Sequence, residues 1–153
     1  MRKIVSAIAL LLLSTTAYGQ ESFEYISPPY EIYYSVFNST FVTPDVAKAY
    51  QLTRGKDIAM INVSVRKNLD SGDNVERRAL VNGTKSDLIH TIGLDFIEVE
   101  EKGAIYYLAS FKFNHKEALN FNIEVQPDRN KPAIIIKFRK ALYQEGKKWL
   151  QLF

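Results

Sequence analysis

The sequence predicts an all-β protein, an antiparallel β-sandwich of the immunoglobulin-like kind with about seven strands and one short helix near residues 44–51. Two observations carry this prediction. Apolar residues alternate with polar ones in short runs, which places successive side chains on opposite faces of a strand. Glycine, proline and asparagine separate these runs at spacings typical of strands. A small β-barrel would give the same pattern and is the competing architecture.

The clearest strand is predicted at 119–126, where polar residues alternate with four apolar ones. The apolar residues that share one face are Leu119, Phe121, Ile123 and Val125. The runs 59–66 and 105–113 alternate in the same way, and Tyr106 falls on the outer side of the second run. One buried face and one solvated face are typical of strands in an antiparallel sandwich.

Four further runs fit the alternation less cleanly, at 31–37, 75–81, 94–100 and 133–140. Large apolar residues occupy both faces of 31–37, so we expect both faces of that strand to be covered. In 94–100 the pattern changes phase between Phe96 and Ile97, which predicts a β-bulge.

Turn residues predict how the strands connect. The tripeptide 101–103 (Glu-Lys-Gly) predicts a hairpin between the runs that flank it. The segment 127–132 predicts the connection between the last two strands, because its terminal prolines lie outside the strands. Asn82-Gly83 predicts a tight turn.

One short helix is predicted after the first aromatic strand. Thr43 is a good N-cap, Pro44 suits the first helical position, and the Asp45 carboxylate would interact favourably with the helix dipole. The residues expected on its apolar side are Val46, Ala49 and Tyr50.

Residues 1–19 predict a secretory signal peptide, with a basic start, a nearly continuous apolar run at 4–13 and small residues before Gly19. Cleavage after Gly19 would leave 20–153 as a single domain of 134 residues (153 − 19), which is long enough to bury a core. No second apolar stretch of membrane-spanning length follows, so we expect no transmembrane anchor after removal of the signal.

Charge and composition exclude several classes of function. The full chain carries +3 from 20 basic and 17 acidic residues, but 1–19 contain two basic residues and no acidic one, so the mature balance is 18 against 17, or +1. This balance gives no support to a nucleic-acid partner. The absence of cysteine excludes disulfides, cysteine-based metal sites, cysteine nucleophiles and a lipid-modified N-terminal cysteine.

The sequence also lacks the usual arrangements of catalytic residues. His90 and His115 are isolated from each other and are expected to be polar loop residues rather than metal ligands. Four carboxylates that could supply an acid and a base lie close together, at Asp95, Glu98, Glu100 and Glu101. We interpret them instead as solubilising charge on an exposed strand. No nucleophile elbow or phosphate-binding glycine loop is present, so we expect a non-enzymatic protein without cofactor or metal.

Aromatic residues form two clusters, at 30–41 and at 106–113. Most of them are expected in the core, but Tyr33 and Tyr106 are predicted to face outward, where they could form a partner-binding patch. The other candidate is the segment Phe37-Asn38-Ser39-Thr40-Phe41, whose polar centre lies between two aromatics at a strand–helix junction. The alternative is a junction that serves packing alone.

Several stretches taken together are similar to a known family, notably Tyr33–Phe41, Ile61–Val65, Ala104–Ala109 and Phe121–Pro127. They resemble a secreted proteobacterial family known as a domain of unknown function, number 4426 in that series. The resemblance implies a small β-rich domain in a Gram-negative periplasm. The family has no established active site, so the resemblance implies no catalytic residue.

Three functional hypotheses follow. The leading one is a non-enzymatic periplasmic protein that binds a protein or peptide of the cell envelope, for example by strand addition at a sheet edge. The second is a carrier of a small ligand or lipid, with an apolar pocket between the sheets. The third, an enzyme, would need a cleft that gathers the carboxylates or the two histidines.

Overall fold

The computed structural model describes residues 22–145, which form ten strands in two antiparallel sheets. The predicted signal peptide lies outside the described residues. The strands are β1 Ser22–Ser27, β2 Tyr30–Asn38, β3 Ile58–Asn68, β4 Asn74–Glu76, β5 Leu80–Ser86, β6 Thr91–Gly93, β7 Ile97–Glu101, β8 Ala104–Lys112, β9 Glu117–Gln126 and β10 Ile134–Leu142. A 3-10 helix, Ser39–Phe41, and one α-helix, α1 Pro44–Ala49, follow β2.

The first sheet has the order β1-β2-β3-β8-β7, with β4 also paired to β3, and the second has the order β10-β9-β5-β6. Within the described residues no hydrogen-bonded strand pair joins the two sheets. The prediction of an all-β, antiparallel sandwich is therefore confirmed. No helix in 22–145 has the length and apolar character that crossing a membrane requires.

The structure has three more strands than the sequence predicted. The strands β1 and β6 were not predicted, and one predicted strand proves to be parts of two. The run 75–81 contains the end of β4 and the start of β5, which belong to different sheets. The phase change at Phe96 and Ile97 is likewise a crossing from β6 in the second sheet to β7 in the first. The predicted bulge is therefore wrong. The two are alike in sequence, since a crossing between sheets changes which residues face inward just as a bulge does.

The two turn predictions around glycine have opposite outcomes. Lys102 and Gly103 have φ values of 50° and 82°, the left-handed conformation that a two-residue hairpin between β7 and β8 requires. Asn82-Gly83 is not a turn but lies inside β5, where Gly83 pairs with Ile123. A Cβ at Gly83 would lie 2.7 Å from Ile123 Cδ1, so the glycine permits close packing inside the strand.

The main core fills the space between the sheets. The predicted inward residues of β9 are almost completely buried, as are those of β3 and β8. A chain of ring contacts crosses the core from the edge strand β1 to β8. Its successive pairs are Phe23–Tyr34 at 5.6 Å, Tyr34–Phe138 at 4.8 Å, Phe138–Phe121 at 4.9 Å and Phe121–Phe111 at 5.4 Å between ring centroids.

A second apolar cluster lies on the outer face of the first sheet, beneath α1. Its buried members are Phe37, Val42, Val46, Ala47, Met60, Val99 and Leu108. The helix begins after Thr43 as predicted, although the Thr43 side chain makes no capping hydrogen bond. Its apolar side was only partly predicted, since Ala47 is buried and Ala49 is exposed. The prediction that both faces of 31–37 are covered is borne out in the structure, because Phe37 packs under α1.

Candidate functional site

The predicted segment Phe37–Phe41 lies where β2 ends and the 3-10 helix begins. Phe37 and Ser39 are buried, Asn38 and Thr40 are half-buried, and Phe41 is exposed. These five side chains therefore do not form one continuous surface.

Ser39 fastens this junction to the loop after α1. Its hydroxyl donates a hydrogen bond to the Gly55 carbonyl and accepts one from the Gly55 amide, each 2.9 Å long. Because the buried hydroxyl is used twice within the fold, the geometry favours the packing alternative for Ser39.

Asn38 and Thr40 also contact neighbouring segments. The Asn38 amide donates to the Tyr143 carbonyl at 2.9 Å, which joins the end of β2 to the chain after β10. The Thr40 carbonyl accepts from the Arg54 guanidinium at 3.3 Å. The Thr40 hydroxyl is buried and has no hydrogen-bond partner among the described residues.

Tyr33 faces the outer side of the first sheet and pairs with Ser64 of β3. Its hydroxyl donates to Glu31 Oε2 at 2.8 Å and lies 3.1 Å from Glu24 Oε1. The hydrogen bond to the Glu31 carboxylate, followed by burial and the contact with Glu24, raises the pKa of Tyr33 to about 12. Hydrogen bonds from Asn68 and Tyr33 hold the pKa of Glu31 below its ordinary value. Tyr33 is thus one member of a polar network.

Tyr106 shares this outer face, on β8 beyond β3, so the structure brings the two predicted tyrosines to one side of the same sheet. Both side chains are half-buried, but only Tyr106 packs against the apolar cluster beneath α1. Burial raises the pKa of Tyr106, with a smaller effect from the carboxylates of Glu76 and Glu101. A partner-binding role for the two tyrosines stays a prediction.

Glu101 differs from the exposed, solubilising charge that the sequence predicted. The residue is 6% exposed, and neither carboxylate oxygen has a hydrogen-bond partner among the described residues. Burial raises the pKa of this carboxyl group. The strand pattern could not reveal this burial, because the outer face of β7 is covered by the cluster beneath α1. Glu98 and Glu100 are exposed as predicted, and both bond to Arg78.

The two histidines lie in different loops, His90 between β5 and β6 and His115 between β8 and β9. The Nδ1 atom of His115 accepts a hydrogen bond from the Gln144 amide at 3.1 Å. In the part of the chain that the structure describes, no three His, Asp or Glu side chains lie where they could hold a metal ion together.

The most exposed apolar group in 22–145 is the pair Leu88 and Ile89, which we call the apolar tip. These side chains are 95% and 85% exposed. The turn that presents them is fixed by Asp87, whose Oδ1 accepts from the amides of Ile89 at 2.7 Å and His90 at 2.6 Å. The hydrogen bond from the His90 amide, and after it the one from the Ile89 amide, hold the pKa of Asp87 below its ordinary value.

Sequence reasoning missed the apolar tip because it placed the turn at Asn82-Gly83. The sequence did contain a signal for this turn, which is Asp87 directly before Leu88 and Ile89. Aspartate side chains often accept hydrogen bonds from backbone amides two or three residues further on, and so favour a turn.

These features define a small, two-sheet β-sandwich domain with a polar network on one outer face and an apolar tip at one loop. The family model of a domain of unknown function, DUF4426, matches residues 27–145, which is more than half of the chain. The chain therefore belongs to this family, which confirms the resemblance seen in the sequence.

The chain is also similar to a solved structure of the same family. A crystal structure of a DUF4426 family protein from Pseudomonas aeruginosa PAO1 is 34% identical, with a TM-score of 0.70. The match covers 81% of this chain and 96% of that one. No curated protein matches the chain.

Proposed function

We propose that this protein is a non-enzymatic binding protein of the periplasm and that the apolar tip contacts a protein partner of the cell envelope. The observation that supports this proposal is the almost complete exposure of Leu88 and Ile89 on a turn fixed by hydrogen bonds. Exposed apolar groups of this kind mark interaction sites, because water contact with them is unfavourable.

Burial of the two side chains would contribute about 3–6 kcal/mol, before the costs of association are subtracted. The turn is held in place by the Asp87 hydrogen bonds, so little further ordering is needed when a partner binds.

Charge favours a protein pocket over a lipid bilayer as the partner surface. The pKa of Asp87 is lowered by the backbone amides of His90 and Ile89, which keeps the carboxylate ionised next to the tip. Moving this charge into hydrocarbon would be costly, whereas a protein pocket can place a basic residue at its rim.

The packing between the sheets gives less support to the alternative of a small-ligand carrier. Rings of Tyr34, Phe138, Phe121 and Phe111 contact each other across that space. A ligand placed there would have to displace these side chains, whose neighbouring ring centroids are 4.8–5.4 Å apart.

Crosslinking in intact cells tests the proposal. A photoreactive phenylalanine analogue at position 88 should yield one dominant protein adduct on illumination. The matched control has the analogue at Leu69, which is 39% exposed in the loop between β3 and β4 of the first sheet, and should yield little. Equal, diffuse adducts at both positions would count against a specific partner.

The periplasmic location is tested separately by N-terminal sequencing of the protein released by osmotic shock. The proposal expects the released chain to begin at Gln20. Recovery in the cytoplasmic fraction with Met1 still present would contradict it.

A further inference from the structure

The first sheet extends beyond the second on one side of the sandwich. Tyr34 of β2 contacts Phe138 of β10, so the edge strand β10 lies against β2. The neighbouring strand β1 therefore lies past the edge of the second sheet. Its inward side chains Phe23 and Tyr25 are 39% and 41% exposed, whereas Ile32, which pairs with Tyr25, is fully buried.

On this side of the sandwich, β10 is the last strand of the second sheet among the described residues. Among the residues that the structure describes, β10 pairs with β9 and with no strand on its other side, so its segment from Ile134 to Arg139 offers a row of backbone donors and acceptors there. A strand added there would continue the second sheet and cover Phe23 and Tyr25 with its inward side chains.

We infer that this edge binds an extended segment of another protein in which apolar residues alternate with acidic ones. The inward positions of such a segment would meet the aromatic chain at Phe23, Tyr34 and Phe138. Its outward positions would lie beside Lys137 and Arg139, which are exposed on the outer face of β10. This surface is separate from the apolar tip, so the inference goes beyond the proposed function.

Charge selects this occupant. On the β9 side, Lys137 and Arg139 pair with the neutral residues Asn122 and Asn120. Opposite charges on directly paired strand positions are favourable, and like charges are unfavourable. An added strand with acidic outward residues therefore matches the basic edge.

The same charges disfavour two other occupants. If two copies paired β10 with β10 in antiparallel register around Phe138, Lys137 of one copy would lie opposite Arg139 of the other. The chain's own C-terminal residues 146–153 contain two lysines and no acid, so they would also place positive charge beside a basic edge.

A displayed peptide library tests the inference against the purified chain. Each displayed nine-residue segment alternates a random apolar residue with a random polar one. Selection should enrich acidic residues at the polar positions. The double variant Lys137→Glu/Arg139→Glu should bind the enriched segments at least tenfold more weakly and should instead select basic residues. The matched control reverses two exposed charges in the preceding loop, Arg129→Glu/Lys131→Glu, and should select as the unmodified chain does.

Hydrogen exchange by NMR locates the bound segment. The best enriched peptide should slow exchange of edge amides in β10 at least tenfold and leave those of β6 unchanged. Binding should persist in the variant Leu88→Ser/Ile89→Ser, which separates this surface from the apolar tip.

The inference is overturned by no enrichment, by enrichment that the charge reversal does not alter, by protection away from β10, or by a dimer in solution that Lys137→Glu/Arg139→Glu changes. Acquisition of peptide binding only when 146–153 are deleted would identify the chain's own tail as the occupant, and would also overturn it.

Discussion

The carboxylate of Glu101 is buried, although the residue lies on β7 at the edge of the first sheet. Its two oxygens have no hydrogen-bond partner among the described residues, and an ionised group without partners is unfavourable in a protein interior. Ser39 shows the opposite arrangement at the same scale, since its buried hydroxyl both donates and accepts. Single side chains therefore affect this fold in opposite directions, and each can be tested by removing one polar group.

We expect Glu101→Gln to raise the free energy of unfolding at pH 7 by about 1 kcal/mol, because it removes a buried charge. Burial raises the folded-state pKa of Glu101, so its ionisation destabilises the fold as pH rises above the ordinary value of 4.5. The gain should vanish below pH 4.5. Urea unfolding on both sides of that pH measures it. The exposed control Glu124→Gln should change little, and a loss of stability in Glu101→Gln at pH 7 would show that the carboxylate has a stabilising partner.

Ser39→Ala should lower the free energy of unfolding by about 1–3 kcal/mol, because the Gly55 amide and carbonyl lose their partner. Chemical denaturation measures this loss. Ser64→Ala removes a half-buried hydroxyl for which 22–145 show no hydrogen bond, and should have a smaller effect. An equal loss in both variants would argue against a special role for the Ser39 hydroxyl.

At the scale of elements, the strands with clean alternation were predictable and the sheet crossings were not. Alternation in 119–126 depends on one buried face, which the sequence encodes locally. The crossings at 77–79 and near Phe96 depend on which distant strand lies alongside, and no local pattern encodes that. Two features of the candidate sites could not be predicted for the same reason, since they too depend on distant parts of the chain. The burial of Glu101 depends on α1, and the apolar tip depends on where β5 ends.

Gly83→Ala should lower the free energy of unfolding by about 1–3 kcal/mol, because the new Cβ would meet Ile123 Cδ1 at 2.7 Å inside the β5–β9 pair. Ile123→Val removes that methyl group, so the double variant should be less destabilised than the sum of the two single variants. Thermal unfolding of all four proteins gives the coupling.

The matched control for this cycle is Gly93→Ala on β6, where a Cβ would meet nothing within 4 Å. That variant should keep the original stability to within about 0.5 kcal/mol. Strict additivity of Gly83→Ala and Ile123→Val would contradict the proposed contact.

At the scale of the whole molecule, one continuous core holds the two sheets together. The aromatic chain joins β1 and β2 of the first sheet to β10 and β9 of the second, then returns to β8. Because both sheets contribute rings to the same contacts, neither can lose its packing without exposing the other.

Phe121→Ala should lower the free energy of unfolding by about 3–5 kcal/mol, because Phe121 is nearly fully buried between two other rings. Phe23→Ala at the open edge should have a much smaller effect, since that side chain is 39% exposed. Denaturation followed by near-UV and far-UV circular dichroism should give one coincident transition in each variant. Separate transitions for the two signals would indicate that the sheets unfold independently.

The path of the chain between the sheets also constrains when the domain can form. The chain builds β1 to β4 in the first sheet, leaves for β5 and β6, returns for β7 and β8, and leaves again for β9 and β10. The strand β3 pairs with β2 on one side, but on its other side Ile58 to Val63 lack their partner until β8 has been made. If the chain is exported as proposed above and emerges N-terminus first, neither sheet can be completed until most of the sequence has arrived. The crossings would thus delay closure of the sandwich until the polypeptide has reached its destination.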